Sequence, residues 1–351
     1  MQPKKKALTA ALTGSALGVA GLAWLAVPAS AGEAPPLPSV SAEDLVSSVL
    51  STKTPALDGT VQVTNNLGLP TGVLPGGVNL NIDSAHVYND GAGDGKVSID
   101  QGASDTTIVH QGNTIWTYQS KDNSATKMTV PDHVAMGMPQ EGVSSDPAAA
   151  ATQLLAKIRQ SSTVSVEGTA RVAGRAAYEL VLTPKPTEKT LLREVRVAVD
   201  AEKRVPLRLA VMTYGTTDPA LQIAFGDIEF VPQPASEFQF TPPQGAKVTE
   251  RQAKPQQDQK QPGDVTVVGD GWDTVLVGKA TPDALAPQQG KGGQNVDPKA
   301  LLNRFGTPVS GPFGSGYVVS TKVVTAVITD DGRFAVGAVP EQVLIDALGT
   351  K

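Results

Sequence analysis

The sequence predicts a mainly β protein of the α+β class: a large antiparallel sheet with a few helices, followed by a smaller α+β unit. Three observations carry this. Between Gly174 and Glu250 apolar residues alternate with polar or small ones, as Tyr178, Leu180 and Leu182, then Val195, Val197 and Val199, then Leu207, Leu209 and Val211. A period of two marks a strand with one buried face. The links between these runs are short and turn-like (Pro184 and Pro186, Asp200 to Arg204, Gly215 to Pro219), so each strand should lie beside its predecessor. Finally, the 351 residues hold 35 Gly and 27 Pro, with aromatics at only 4 %, which suits strands and turns better than a helical bundle.

The elements follow in order. Lys4, Lys5 and Lys6 precede an apolar run from about Ala7 to Val27, and then Pro28-Ala29-Ser30-Ala31. That is the layout of a secretory signal peptide over 1–31, cleaved between Ala31 and Gly32. The alternative is an uncleaved anchor, since the run is about long enough to span a bilayer. Both place the rest of the chain outside the cytoplasm. Residues 32–40 form a proline-rich leader. Ser41 is a helix N-cap with Asp44 three residues on, and Leu45, Val46, Val49 and Leu50 share one side of a helix over 42–51.

A first strand over 57–67, with Val61 and Val63 alternating, leads into an apolar stretch of Pro and Gly over 68–83. That stretch reads equally as a buried link or as a lid over a cavity. Strands are expected at 86–88, 96–101, 105–111, 114–119 and 127–130, with Trp116 and Tyr118 on one face of the hairpin at Gly112-Asn113. A loop over 131–147 ends at Asp146, which caps an alanine-rich helix from Pro147 to Arg159. A strand over 162–172 then enters the meander. Residues 251–263 have no apolar side chain larger than Ala and read as a linker. Beyond it, 264–351 carries two short strands or one bent strand over 264–268 and 272–277, a helix from Pro298 to Arg304, a single strongly β-forming run over 318–329 that turns into 333–339 as a hairpin, and a closing helix over 341–348.

Several chemistries are excluded. The chain has no cysteine, so disulfides, thiolate metal sites and thiol catalysis are absent. A net charge of −5 argues against nucleic-acid binding. His86, His110 and His133 show no helical i, i+4 pairing, the usual mark of a histidine metal site. No serine sits in a G-x-S-x-G turn, and Gly314-Ser315-Gly316 lacks supporting His and Asp context. Asn89 to Lys96 fits neither a calcium loop nor a phosphate loop and reads as a hairpin turn. No catalytic constellation and no cofactor site is expected. What remains is a wide sheet with one apolar face and two modest helices. The surplus face can be closed on itself as a packed sandwich, covered by a partner, or filled by a lipid, whose chains gain about 0.8 kcal/mol per buried methylene.

The motifs HQGNTIWTY (110–118), YELVLTP (178–184), the Val205-Pro206-Leu207 turn and Phe238-x-Phe240-x-Pro242-Pro243-x-Gly245 resemble the LolA-like lipoprotein-carrier superfamily, over about Ser41 to Val248. The resemblance implies an unclosed antiparallel half-barrel with helices as a lid, and a non-enzymatic role in which acyl chains of a lipid or lipoprotein occupy an apolar cavity. Carried onto this chain, the lipid-contacting residues would be Val61, Val63, Trp116, Tyr178, Leu180, Leu182, Val195, Val197, Val199, Leu207, Leu209 and Val211. The ending over 322–348 is loosely similar to the C-terminal domain of RseB-type sigma-factor regulators. That likeness implies a second possible partner, an anti-sigma factor or another membrane protein.

Overall fold

In this computed structural model the described residues are 36–67, 82, 84–102, 104–129, 147–252, 265–280, 288–289, 295–296 and 298–349. The expected signal peptide over 1–31 and its expected Ala31/Gly32 cleavage point, the 68–81 part of the apolar stretch, the expected loop over 131–146 and residues 253–263 of the expected linker lie outside them.

The first part of the chain runs α1 (Ala42–Ser51), β1 (Leu57–Asn65), β2 (Ser84–Asn89), β3 (Gly95–Asp100), β4 (Asp105–Gln111), β5 (Thr114–Gln119) and β6 (Ser124–Thr129). After α2 (Pro147–Ile158) come β7 (Ser162–Val172), β8 (Arg175–Pro184), β9 (Leu192–Asp200), β10 (Pro206–Thr213) and β11 (Leu221–Glu229). A 3-10 turn (Ala235–Phe238) and β12 (Lys247–Gln252) complete it. These twelve strands form one sheet in the order β12-β6-β5-β4-β3-β2-β1-β11-β10-β9-β8-β7. It is two sequential meanders, joined where β1 pairs antiparallel with β11. The end strands β12 and β7 do not pair with each other, so the sheet is an open half-barrel.

Local chemistry sets the punctuation. Ser41 Oγ accepts from Asp44 N at 3.0 Å and caps α1 as its sequence requires. Asp90 Oδ1 accepts from the backbone N–H of Ala92, Gly93 and Asp94, which makes the loop over 89–96 the β2–β3 hairpin turn. One strand departs from the antiparallel expectation. β12 runs parallel to β6, because the chain crosses the sheet through the 3-10 turn before returning to the edge. It extends through Gln252, two residues past Glu250.

The second sheet contains β13 (Thr266–Val268), β14 (Val275–Lys279), β17 (Thr307–Gly311), β18 (Gly314–Ser320), β19 (Thr325–Thr329) and β20 (Arg333–Gly337), in the order β13-β14-β20-β19-β18-β17. Between β14 and β17 lie the short pair β15 (Gln288–Gln289) and β16 (Asn295–Val296), and α3 (Pro298–Phe305); α4 (Glu341–Gly349) closes the chain. Leu344, Ala347 and Leu348 of α4 pack with Val275, Val318, Val327, Ala335 and Val339.

Two expectations need correction here. Residues 318–329 are two strands rather than one, because Thr321 Oγ1 accepts from Val323 N and Val324 N and turns the chain. The strand over 307–311 was not anticipated: its Pro308 and two small polar residues hide it, and it sits at the sheet edge where proline is tolerated. Gly314-Ser315-Gly316 lies inside β18, paired with β17, and Ser315 O accepts from Asp330 N.

Candidate functional site

The strand registers arrange the alternating residues into rows that cross the sheet. One row runs Val166–Leu180–Val197–Leu209–Ile223–Val63 through β7, β8, β9, β10, β11 and β1. The next runs Val164–Leu182–Val195–Val211–Leu221–Asn65. Neither contains a charge. Residues directly opposite across antiparallel strands share a face, so both rows, with Tyr178 and Val199, lie on one side of the sheet.

The other side is built differently. Its rows read Glu179–Ala198–Arg208–Ala224–Gln62 and Val181–Arg196–Ala210–Gln222–Thr64. The buried Glu179 accepts from Arg208 Nη2 and, at 3.5 Å, from Arg196 Nη1, while Arg196 Nε reaches Glu194 Oε1 at 2.8 Å. The Arg196 hydrogen bond holds the Glu194 carboxyl below the usual carboxylate range. A lattice of paired Arg and Glu can face water; an uncharged row of Val, Leu and Ile needs a cover.

That cover is partial. α1 and α2 lie over the β7–β9 end of the apolar face. Leu45 of α1 packs with Tyr178 and Val199, and with Leu180 and Val197. Leu155 of α2 packs with Val164, with Leu180 and Leu182 around it. The helices are tied to each other by the Glu43–Arg159 ion pair, which lowers the Glu43 pKa. Past β9 the rows continue out of these clusters. Leu209 remains 38 % exposed and Ile223 42 % exposed, beside the half-buried Val211, Leu221, Val61 and Val63. Leu50 of α1 and Leu154 of α2 are exposed apolar residues as well.

Of the residues expected to contact lipid, the structure brings together Val61, Val63, Tyr178, Leu180, Leu182, Val195, Val197, Val199, Leu209 and Val211 on this face. Two fall elsewhere. Leu207 sits at an irregularity between Pro206 and Arg208, which removes it from the alternation; it is buried with Leu57, Ala177, Ala198 and Ile228. Trp116 lies on the opposite face. The register carries Val61 through Ala85, Ile99 and Thr106 to Gln119, three residues from Trp116 along β5, and an odd step changes face. There Trp116 packs against Phe240 at 5.4 Å between ring centres, Tyr118 lies 6.0 Å from the same Phe240 ring, and the Lys127 ammonium sits over the Trp116 ring. The segment carrying Phe240 straps this side of β3–β6, with Phe238 buried and Glu237 paired to Lys96 at 3.1 Å. Sequence reasoning did not single out Leu221 and Ile223, which lie in the fourth run of the meander after Gly215 to Pro219.

No family model matches the chain, and no curated protein matches it. Among solved structures, it is similar to that of the MucA/MucB complex of Pseudomonas aeruginosa, at 15 % identity and a TM-score of 0.45, covering 88 % of this chain and 96 % of that one. The likeness is one of fold. A LolA superfamily protein from Nitrosomonas europaea is also similar, at 12 % identity and a TM-score of 0.24 over 57 % of this chain and 99 % of that one. An uncharacterised protein from Thermus thermophilus gives 16 % and 0.35, over 60 % and 97 %. Among the described residues there is no cluster of His, Asp and Glu able to hold a metal ion, and no helix long and apolar enough to cross a membrane.

Proposed function

We propose that this chain is an exported, non-enzymatic binding protein that holds acyl chains of a lipid or lipoprotein on the apolar face of its half-barrel. Residues 41–250 form the binding unit and 264–351 a second unit. The observation that supports this most is the pair of uncharged rows running out from under α1 and α2 to the exposed Leu209 and Ile223. Acyl chains are the ligand class such a surface takes without leaving a polar group unpaired. Native mass spectrometry of the purified chain, with and without palmitoyl lipids, tests it. Mass adducts releasable by organic extraction are the expected result. A chain that carries no lipid and takes up none when it is supplied overturns the reading.

A second reading is a regulator whose second sheet meets an anti-sigma factor or another membrane partner. It is supported by Val267 and Leu276, cross-strand neighbours on β13 and β14 that stay 61 % and 42 % exposed. Paired apolar residues exposed near a sheet edge suit a protein contact. Under this reading, the double substitution Val267→Glu, Leu276→Glu abolishes recovery of a partner from detergent-solubilised membranes. Equal recovery with the unsubstituted chain removes it.

A further inference from the structure

The two sheets are not merely tethered; the second grips the first where the lid helix α2 ends. We propose that the second sheet latches α2, so that seating of this helix over the apolar rows is coupled to docking of the second sheet. The purpose assigned to that movement rests on the acyl-binding reading above; the coupling itself does not.

The geometry is local and specific. Only residues 159–161 separate α2 from β7. Arg159, within that connection, pairs with Glu43 of α1. Ser161 N donates to Ile158 O at 3.2 Å, so the connection is a continuation of the helix end. Immediately after it, the buried Ser162 accepts at Oγ from Trp272 Nε1 at 2.7 Å. Trp272 N donates to Glu188 Oε2 at 2.8 Å, in the loop between β8 and β9. That loop is bound to the helix connection, since Lys185 N donates to Ser161 O at 2.9 Å and Lys185 Nζ to Gln160 O at 3.0 Å. A second anchor sits at the end of β20, where Ala338 O accepts from Leu191 N and from Thr190 Oγ1, both at 2.8 Å.

Packing at the first anchor leaves no slack. A Cβ built on Gly271 would stand 2.9 Å from Ser161 Cβ and closer still to the Glu188 carboxylate. A shift of α2 along or away from the sheet therefore displaces Ser161 and Ser162 against Gly271 and Trp272, and cannot be absorbed by an empty gap. Latched and released positions are the two states that α2 and the second sheet share, and any ligand that favours one must shift the other.

Hydrogen exchange on the full chain tests this. Trp272→Phe keeps an aromatic ring and removes the N–H; Gly271→Val wedges the contact. In both, exchange over 186–192 and over 155–164 should quicken together, by about fivefold, the factor for losing one ordinary hydrogen bond. Ser162→Ala, which changes nothing in the second sheet, should do the same, and it is the deciding variant if either of the others also loosens that sheet's own core strand over 325–329. Faster exchange at 186–192 with 155–164 unchanged overturns the latch, and so does no change at either segment. With palmitate as the probe, the unsubstituted chain should show slower exchange at both segments, and the latch variants should bind palmitate more weakly, by up to about fivefold, by reciprocity of coupling. A chain that binds no palmitate removes the lipid reading and leaves the exchange comparison to decide the latch.

Discussion

Replacing Leu209 by Glu should weaken acyl binding by at least about 100-fold while leaving the protein folded. The position makes the test sharp. Leu209 lies in the uncharged row between Val197 and Ile223, beyond the helices, and is 38 % exposed. Its side chain can carry a charge into water in the free protein, so folding is spared. With an acyl chain laid over the row, the same carboxylate must lose its solvent beside methylene groups, a cost of several kcal/mol. Each factor of ten in affinity takes about 1.4 kcal/mol. Ile223→Glu should act likewise, and Gln222→Glu, one residue along β11 on the Arg/Glu face, should leave binding unchanged. Titration with a fluorescent palmitoyl probe reads all three. Unchanged affinity in both Leu209→Glu and Ile223→Glu would show that the ligand lies elsewhere.

The largest stability effect should come from Asp200→Ala, at about 3–5 kcal/mol, read as a lower urea midpoint. Asp200 is fully buried at the end of β9, where the chain turns toward β10. Its carboxylate accepts from Arg175 Nε, from Arg175 Nη2 at 3.2 Å, and from the backbone N–H of Glu202 and Lys203 at 2.9 and 2.5 Å. Alanine takes away the buried carboxylate that pairs with the guanidinium, leaving Arg175 only its 3.3 Å contact with the exposed Glu202, and removes the acceptor of two turn amides. Burial by itself would raise the Asp200 pKa; the Arg175 hydrogen bond and those backbone donors more than offset it, and the net shift is downward. A depressed folded-state pKa contributes stability that is complete above the unfolded value, about 3.9, and is lost as pH falls through the folded one. Unfolding followed from pH 7 to pH 3 should therefore show the native chain losing stability toward the acid end of that range. Asp200→Asn should start less stable and lose less. Parallel acid profiles for the two would remove Asp200 as a source of the acid sensitivity.

The same residues show how far sequence reasoning reaches. Period-two alternation placed ten of the expected contact residues on one face, because alternation follows directly from strand geometry and survives wherever the ladder is regular. It failed at Leu207, where an irregular step between Pro206 and Arg208 interrupts the ladder; nothing in Val-Pro-Leu-Arg-Leu marks which residue is displaced. It failed at Trp116 for another reason. Alternation fixes faces within a strand and is silent about which face of one hairpin continues which face of another. That depends on the β1–β11 pair, which joins residues more than 150 positions apart.

The sequence by itself determined the mainly β class, the Ser41-capped helix α1 and the helix α2, the turns at Asp90 and Gly112, the absence of thiol chemistry, and the existence of an apolar strand face. All of these are local: they depend on residues within one turn or one strand of each other, or on composition. Only the tertiary structure decided the rest. The seam between the two meanders aligned Val63 with Ile223 and Leu209 into one uncharged row. The same pairing put Trp116 on the opposite face, where the strap carrying Phe238 and Phe240 packs against it. The two helices stopped short of β10, and Trp272 came to rest on Ser162 at the start of β7, just beyond α2. Each is a contact between distant segments, set by which surfaces remain to be buried after the local elements have formed, and no period or spacing along the chain records it.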